Sequence, residues 1–154
     1  MRDGRDVIDS LVDARQKGGW STNIDLNPLT SKNRLLFITR LARLWINRTS
    51  LLLKLSEEDV DKKLCHVVKY EDLLQNTSSE LKKIYDFIGI DIPDDELQKI
   101  VQKHSFENLP ANSKGSGKVT RSATPGKWKE NFSEEEQKIM QDIMGKTLSD
   151  LGYS

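Results

Sequence analysis

One short segment, residues 64–70, constrains the fold of this chain more than any other feature of the sequence. It reads Leu-Cys-His-Val-Val-Lys-Tyr and lies between two segments with helical periodicity, which is typical of an inner strand of an α/β sheet. A single strand cannot form a sheet, because its backbone donors and acceptors need partners on both sides. We therefore expect this strand to pair with another chain or, more simply, with strands upstream of Met1.

The rest of the chain is predicted to be mostly helical, because apolar residues recur at helical spacing. These residues are Val7, Ile8, Leu11 and Val12; Leu35, Ile38, Leu41, Ala42 and Trp45; Leu81, Ile84, Tyr85 and Ile88; and Leu97, Ile100 and Val101. Capping boxes are predicted at Thr77 with Glu80 and at Ser133 with Glu136, and Gly89 is predicted to end the helix that Thr77 begins. Residues 110–126 are predicted to form a long loop.

Charge and composition exclude several partners and sites. The 24 Lys and Arg residues balance 24 Asp and Glu residues, so no overall charge attracts nucleic acid, and we predict no nucleic-acid partner. Apolar runs are too short for a membrane segment. The single Cys65 excludes an internal disulfide, and the N-terminus lacks a secretory signal, so a cytoplasmic location is expected. His66, predicted to be a core imidazole, and His104 lack metal-ligand spacing, so no metal is expected.

Positive charge is concentrated between residues 110 and 129, where five cations occur without any acid. They are Lys114, Lys118, Arg121, Lys127 and Lys129. This pattern indicates an anion-binding site, although a solvated surface loop is the alternative.

A second anion site is indicated at the N-terminus. There Asp3 can cap a helix whose positive dipole end lies beside Arg2. Asp6 takes the third helical position, and Ser10 lies on the same face. The alternative is an ordinary capped helix with surface arginines.

The segment Arg2-Asp3-Gly4-Arg5-Asp6, with Ser10 after it, resembles the sulfotransferase segment that grips the 3′-phosphate of the donor 3′-phosphoadenosine 5′-phosphosulfate. Three further segments match that family in order: Tyr-Glu-Asp-Leu at residues 70–73, His-Ser-Phe-Glu at residues 104–107, and Arg121 followed by Gly126, Trp128, Lys129 and Phe132. The resemblance covers essentially the whole chain.

The resemblance implies that Arg2, Ser10 and Arg121 hold the 3′-phosphate of the donor, with Arg121 as a bidentate fork. It further implies that Tyr70 lies at the adenine and that Phe106 stacks on its face. Neither a catalytic residue nor a metal ligand is assigned to this chain.

Two departures from the family pattern affect the phosphate site. Ser122 and Ala123 stand where the family has Lys and Gly, so one cation is lost and a β-carbon is added where backbone N–H groups approach the phosphate. Lys118 or Lys127 can supply the missing charge. Gly4 replaces a common Pro, which loosens the mouth of the site.

The fold class implied by the resemblance is α/β, with residues 1–154 as the C-terminal fragment of one P-loop-NTPase-like sulfotransferase domain. This fragment is expected to be mostly helical with one central parallel strand. The 5′-phosphosulfate loop and the catalytic base belong to the upstream half of the domain, so the chain alone is expected to be inactive.

The implied function is sulfuryl transfer to a hydroxyl or amine of a small-molecule, lipid or glycan acceptor. A non-catalytic nucleotide-binding module derived from the same fold is the alternative.

Overall fold

The computed structural model describes residues 1–16, 19–21, 29–58, 64–120 and 122–153, and it divides the chain into two compact units. The first unit consists of Met1–Arg2 and Ser50–Ala111, and the second of Asp3–Thr49 and Asn112–Ser154. The described residues form seven α-helices, which confirms the prediction of a mostly helical chain. They are α1 (Gly4–Ala14), α2 (Ser31–Glu58), α3 (Tyr70–Gln75), α4 (Thr77–Phe87), α5 (Asp94–His104), α6 (Trp128–Asn131) and α7 (Glu134–Asp150).

A hydrophobic core fills the second unit and combines residues of α1, α2, α6 and α7. Its members are Ile8, Val12, Ile38, Ala42, Trp45, Trp128, Phe132, Met140, Met144 and Leu148. The members from α1 and α2 lie on the stripes that the helical periodicity predicts, because a 3.6-residue repeat directs one face of each helix inward. On α2, Leu35 and Leu41 are half-buried at the edge of this stripe.

The first unit contains α3, α4 and α5 and buries fewer apolar side chains. Ile92 and Leu97 are buried, whereas Ile88 at the end of the α4 stripe is exposed. The Lys82 ammonium donates to the Ile92 carbonyl at 3.2 Å and so ties α4 to the segment before α5. Gly89 follows α4 with φ of +74°, which confirms the predicted helix end.

Residues 65–69 have no regular secondary structure, and the described part of the chain contains no β-strand, so the predicted central strand is not formed. Tyr70, expected at the end of that strand, begins α3 instead. The segment pairs with Met1. The Met1 amino group donates to the Val68 carbonyl, and the Tyr70 N–H donates to the Met1 carbonyl at 2.6 Å. Bonds on both sides of Lys69 form the pattern of one parallel β-bridge, which is too little pairing to make a sheet.

Two local predictions are wrong. His66 is exposed rather than buried in a core, because its segment lies at the surface, and it stacks on Phe87 with ring centroids 5.3 Å apart. Thr77 does not cap α4. Its hydroxyl donates to the Leu73 carbonyl at 2.8 Å, so Thr77 is the first helical residue and Asn76 takes the N-cap position.

Tight packing explains why glycine begins α1. A β-carbon on Gly4 would lie 2.6 Å from Cδ2 of Trp45 and 3.0 Å from the sulfur of Met144. Trp45 belongs to the filled core, so its ring cannot easily shift. Gly4 therefore allows the helix backbone to approach Trp45 closely. Its expected effect on the mouth of the phosphate site stays a prediction.

We predict that Gly4→Ala lowers the free energy of unfolding by about 1–3 kcal/mol, the usual cost of overpacking a core. Thermal denaturation followed by circular dichroism measures the change. Gly145→Ala in α7 is the matched control, because its added β-carbon meets the flexible end of the Gln141 side chain at 2.4 Å. Helix propensity favours alanine by up to about 1 kcal/mol, so this control is expected to be neutral or stabilising. Equal losses in the two variants would contradict the packing argument.

Candidate functional site

In the first unit, the backbone pairing of Met1 brings Arg2 against Tyr70. The Arg2 guanidinium carbon lies 4.7 Å from the centroid of the Tyr70 ring, a cation–π distance. The hydrogen bond from Tyr70 N–H to the Met1 carbonyl holds the two residues side by side. A guanidinium stacked on a ring directs its N–H groups outward in its own plane, where they can donate to an anion.

At the start of α1, in the second unit, Asp3 is the N-cap, as predicted. Its carboxylate accepts the Arg5 backbone N–H at 2.8 Å. The Arg5 side chain turns back and donates to both Asp3 oxygens, with a shortest distance of 2.8 Å. Its guanidinium also lies 4.2 Å from the centroid of the Trp128 ring. Arg5 is therefore engaged in holding the helix start together and is not a candidate anion ligand.

Three carboxylates on one face of α1 accept hydrogen bonds from later segments of the second unit. Asp6, Asp9 and Asp13 are only 2%, 3% and 7% exposed. Asp6 accepts the Gly126 N–H at 2.8 Å, and Asp9 accepts two contacts from the Asn131 side-chain amide at 3.0 and 3.1 Å. A buried carboxylate needs such donors, because desolvation of an unpartnered charge is costly.

The third carboxylate, Asp13, binds a tight turn of the basic loop, which we define as residues 112–127. One Asp13 oxygen accepts the Ser116 hydroxyl at 2.6 Å, and the other accepts the Gly117 N–H at 2.8 Å. The Gly117 carbonyl accepts the Trp20 N–H at 2.9 Å, and Gly117 has φ of +73°, a left-handed conformation that favours glycine. The turn is thereby held by Asp13 at the end of α1 and by Trp20 beyond that helix.

The basic loop carries the other predicted phosphate ligands. Arg121 lies outside the described residues, while Ser122 and Ala123 are half-buried. Within the described ranges, Lys118 and Lys127 form no ion pair, so no neighbouring carboxylate competes with an anion for their charge. Among the residues the structure describes, no three His, Cys, Asp or Glu side chains are grouped to hold a metal ion, and no helix is long and apolar enough to cross a membrane.

A buried ion pair lies at the start of α7. Ser133 and Glu136 form the predicted capping box, and the Arg34 side chain of α2 donates to the Glu136 carboxylate. Burial by itself raises the pKa of Glu136. The hydrogen bonds from Arg34 and Ser133 outweigh burial, so the pKa lies below the usual glutamate range.

A groove of about 490 Å³ opens beside the first half of α2, within the second unit. It is lined by Leu29, Leu36, Phe37, Leu41 and Leu44, together with Arg15, Asn33 and Arg40. The Arg15 guanidinium lies 4.9 Å from the centroid of the Phe37 ring. A concave, mostly apolar surface with a few polar groups is typical of small-molecule sites.

Comparison with known proteins identifies the family to which the chain belongs. The model of the sulfotransferase domain matches residues 44–152, which is more than half of the chain. The chain belongs to the sulfotransferase family. This sulfotransferase match includes Tyr70, Phe106 and residues 121–123, and it begins after Arg2 and Ser10.

The sulfotransferase relatives extend well beyond this chain. Sulfotransferase 6B1 of Danio rerio is 31% identical over 98 residues, which cover 60% of this chain and 33% of that protein. Sulfotransferase 2A2 of Mus musculus is 30% identical over 79 residues, which cover 44% of this chain and 28% of that protein. The chain thus spans about a third of the length of the curated relatives it matches. No solved structure matches it significantly.

The structure distributes the predicted donor-site residues of this sulfotransferase chain between its two units. Arg2, Tyr70 and Phe106 belong to the first unit, and Ser10, Ser122 and Ala123 to the second. Arg2 and Tyr70 are brought into contact. Phe106 is half-buried and begins a short 3₁₀ helix, Phe106–Asn108, just after α5, while Ser10 is half-buried on α1. These predicted roles stay predictions.

Sequence reasoning missed the part played by Asp9 and Asp13. Both belong to an acidic face of α1 at i, i+3 and i+7, counted from Asp6. The acidic face is visible in the sequence, but the donors that reach it include two backbone N–H groups, a serine hydroxyl and an asparagine amide, which carry no charge pattern. Which loop atoms meet which carboxylate depends on the tertiary fold.

We predict that the Glu136 ion pair makes the free energy of unfolding of the second unit fall as the pH is lowered. Because the folded pKa is lowered, the stabilisation is present above the unfolded value of about 4.3 and is lost as the pH falls through the folded pKa. Glu136→Gln is expected to lower the free energy of unfolding by about 1–2 kcal/mol at neutral pH and to flatten its decline below pH ~5. Urea denaturation across a pH series measures both effects. Glu135→Gln, an exposed residue of the same turn, is the control, and an identical pH profile for the two variants would refute the assignment.

Proposed function

We propose that this protein transfers a sulfuryl group from 3′-phosphoadenosine 5′-phosphosulfate to an acceptor hydroxyl or amine. This chain then supplies the part of the donor site that binds the 3′-phosphate and the adenine. The observation that carries the proposal is the contact of Arg2 with Tyr70 in a member of the sulfotransferase family. A guanidinium can bind the phosphate of a phosphorylated adenosine, and an aromatic ring beside it can contact the adenine.

In the first unit, Arg2 would donate charge-assisted hydrogen bonds to the 3′-phosphate. Tyr70 would contact the adenine through its hydroxyl or ring edge. Phe106 would stack on the adenine face, a contact worth about 1–3 kcal/mol per base in nucleic-acid-binding proteins. The ring of Tyr70 orients the Arg2 guanidinium, so the same contact serves both the phosphate and the base.

In the second unit, the Ser10 hydroxyl and the planar fork of Arg121 would bind the 3′-phosphate of the donor. The backbone N–H groups of Ser122 and Ala123 would add donors. Lys118 or Lys127 would supply the positive charge that the family's lysine carries at the position of Ser122. Neither lysine forms an ion pair with another described residue.

The remaining machinery is proposed to belong to the upstream half of a P-loop-type α/β domain. The parallel pairing of Met1 with Val68 and Tyr70 supports a role for residues 64–69 as a strand in that complete domain. The upstream half would supply the 5′-phosphosulfate loop and the base that deprotonates the acceptor. A cytoplasmic location is part of this proposal, since the chain has a single cysteine, Cys65, and so no internal disulfide.

The groove beside α2 is the proposed contact for part of the acceptor. Its leucines and Phe37 suit an apolar body, and Arg15 and Arg40 suit polar or anionic substituents. A small-molecule alcohol, a lipid and a glycan all remain within the proposed acceptor class.

We predict that adenosine 3′,5′-bisphosphate binds at least about tenfold more tightly than adenosine 5′-monophosphate. Two or three charge-assisted hydrogen bonds to the 3′-phosphate, at about 1.5–3 kcal/mol each before salt screening, account for the difference. Isothermal titration calorimetry of the full-length protein, with the upstream half of the domain, measures it at two salt concentrations. Arg121→Ala is expected to remove most of the preference.

Arg121→Lys separates geometry from charge in the same measurement. Lysine keeps the charge but not the planar fork, so the variant is expected to lose nearly as much preference as Arg121→Ala. Lys146→Ala, a surface cation paired with Asp150, is the control. Equal affinities of the unmodified protein for the two nucleotides would refute the donor-site assignment, and full rescue by lysine would refute the fork.

We predict that the full-length protein, with the upstream half of the domain, releases adenosine 3′,5′-bisphosphate when it is given labelled donor and a panel containing a small-molecule alcohol, a lipid alcohol and a glycan, whereas residues 1–154 alone do not. Chromatography of the labelled sulfated product identifies the acceptor. Arg2→Ala is expected to raise the KM for the donor, because it removes a ligand of the 3′-phosphate. Tight nucleotide binding without transfer to any acceptor would instead favour a non-catalytic nucleotide-binding module.

A further inference from the structure

Two buried acids of α1 anchor the basic loop at two points. Gly117 donates its N–H to Asp13, and Gly126 donates its N–H to Asp6, each at 2.8 Å. The two acids are seven residues apart on one helix, so the anchors are separated by about 10 Å along a rigid axis. Residues 118–125 lie between these anchors and include Ser122 and Ala123.

Both anchors depend on glycine conformations and on burial. Gly117 and Gly126 have φ of +73° and +88°, so each is in a left-handed conformation that other residues rarely adopt. Asp6 and Asp13 are buried, and their carboxylates need the donors that the loop supplies. Detaching the loop would remove these donors from two buried carboxylates, which favours the docked arrangement.

The turn held by Asp13 is also braced internally. Gly115 N–H donates to the Thr120 carbonyl at 3.2 Å, and the Thr120 hydroxyl donates to the Ser113 carbonyl at 2.8 Å. Lys118 N–H closes the turn on the Gly115 carbonyl at 3.1 Å. These bonds fix the conformation of the turn at Asp13. The turn immediately precedes the segment proposed to bind the 3′-phosphate.

From this arrangement we infer that Asp13 is a positioning residue for the 3′-phosphate site, assisted at the other anchor by Asp6. Asp13 does not touch the phosphate, because its negative charge would repel it. It orders the basic loop before the ligand arrives, so that binding does not have to supply the entropy of loop ordering. This inference rests on the proposed function.

The test is the preference for adenosine 3′,5′-bisphosphate over adenosine 5′-monophosphate, measured as the ratio of the two dissociation constants. Asp13→Ala is expected to reduce this ratio about tenfold, a size typical of lost supporting contacts. Asp13→Asn is expected to retain most of the ratio, because its amide oxygen still accepts a hydrogen bond. A merely structural role would lower the amount of folded protein and leave the ratio unchanged.

Asp9→Ala is the matched control. Asp9 is a buried acid of the same helix, and the Asn131 amide that donates to it lies outside the anchored segment, so the ratio is expected to stay at the unmodified value. Ser116→Ala covers the case in which Asp13→Ala does not fold. Ser116 is exposed, its loss removes one of the two bonds to Asp13, and a reduction of about two- to threefold is expected.

The outcomes separate the inference from the proposed function. An unmodified protein that does not distinguish the two nucleotides would overturn the proposed function and this inference with it. A clear preference in the unmodified protein that survives Asp13→Ala, or Ser116→Ala if the former does not fold, would overturn the inference alone. The inference would also fail if Asp9→Ala reduced the ratio as much as Asp13→Ala.

Discussion

The carboxylates buried along α1 are the constraint on which the second unit depends. A charge removed from water must be surrounded by donors, and α1 finds its donors in a part of the chain that has little regular structure. Because the helix fixes the spacing of Asp6, Asp9 and Asp13, it also fixes where the loop and α6 are attached. The loop thus takes its conformation from its bonds to the helix together with a single backbone bridge of its own, between Lys114 and Thr120.

The first unit depends instead on backbone hydrogen bonds that join Met1 to Val68 and Tyr70. That pairing places Arg2 beside Tyr70 and so joins a cation to an aromatic ring. One bridge is not a ladder, however, and β-structure becomes stable only when several strands share a hydrophobic face. The same segment can therefore have the composition of an inner strand and still lack its structure.

Local signals in the sequence were reliable where the physics is local. The helices, the Asp3 and Ser133 caps and the end of α4 at Gly89 follow from periodicity and from hydrogen bonds between near neighbours. Thr77 shows the limit of this reasoning, because the Leu73 carbonyl competes successfully for its hydroxyl. Gly4 shows another limit, since the steric reason for a glycine lies in Trp45 and Met144, far away in sequence.

The sequence by itself determined the helical content, the position of the basic loop and the sulfotransferase resemblance, because each depends on residue type and spacing along the chain. Only the tertiary structure decided that residues 64–69 pair with Met1, that Arg5 and Arg34 are engaged by Asp3 and Glu136, and that Asp13 holds the turn at Gly117. The physical reason is that hydrogen bonds and ion pairs form between atoms that folding brings together. Spacing in sequence does not specify those distances.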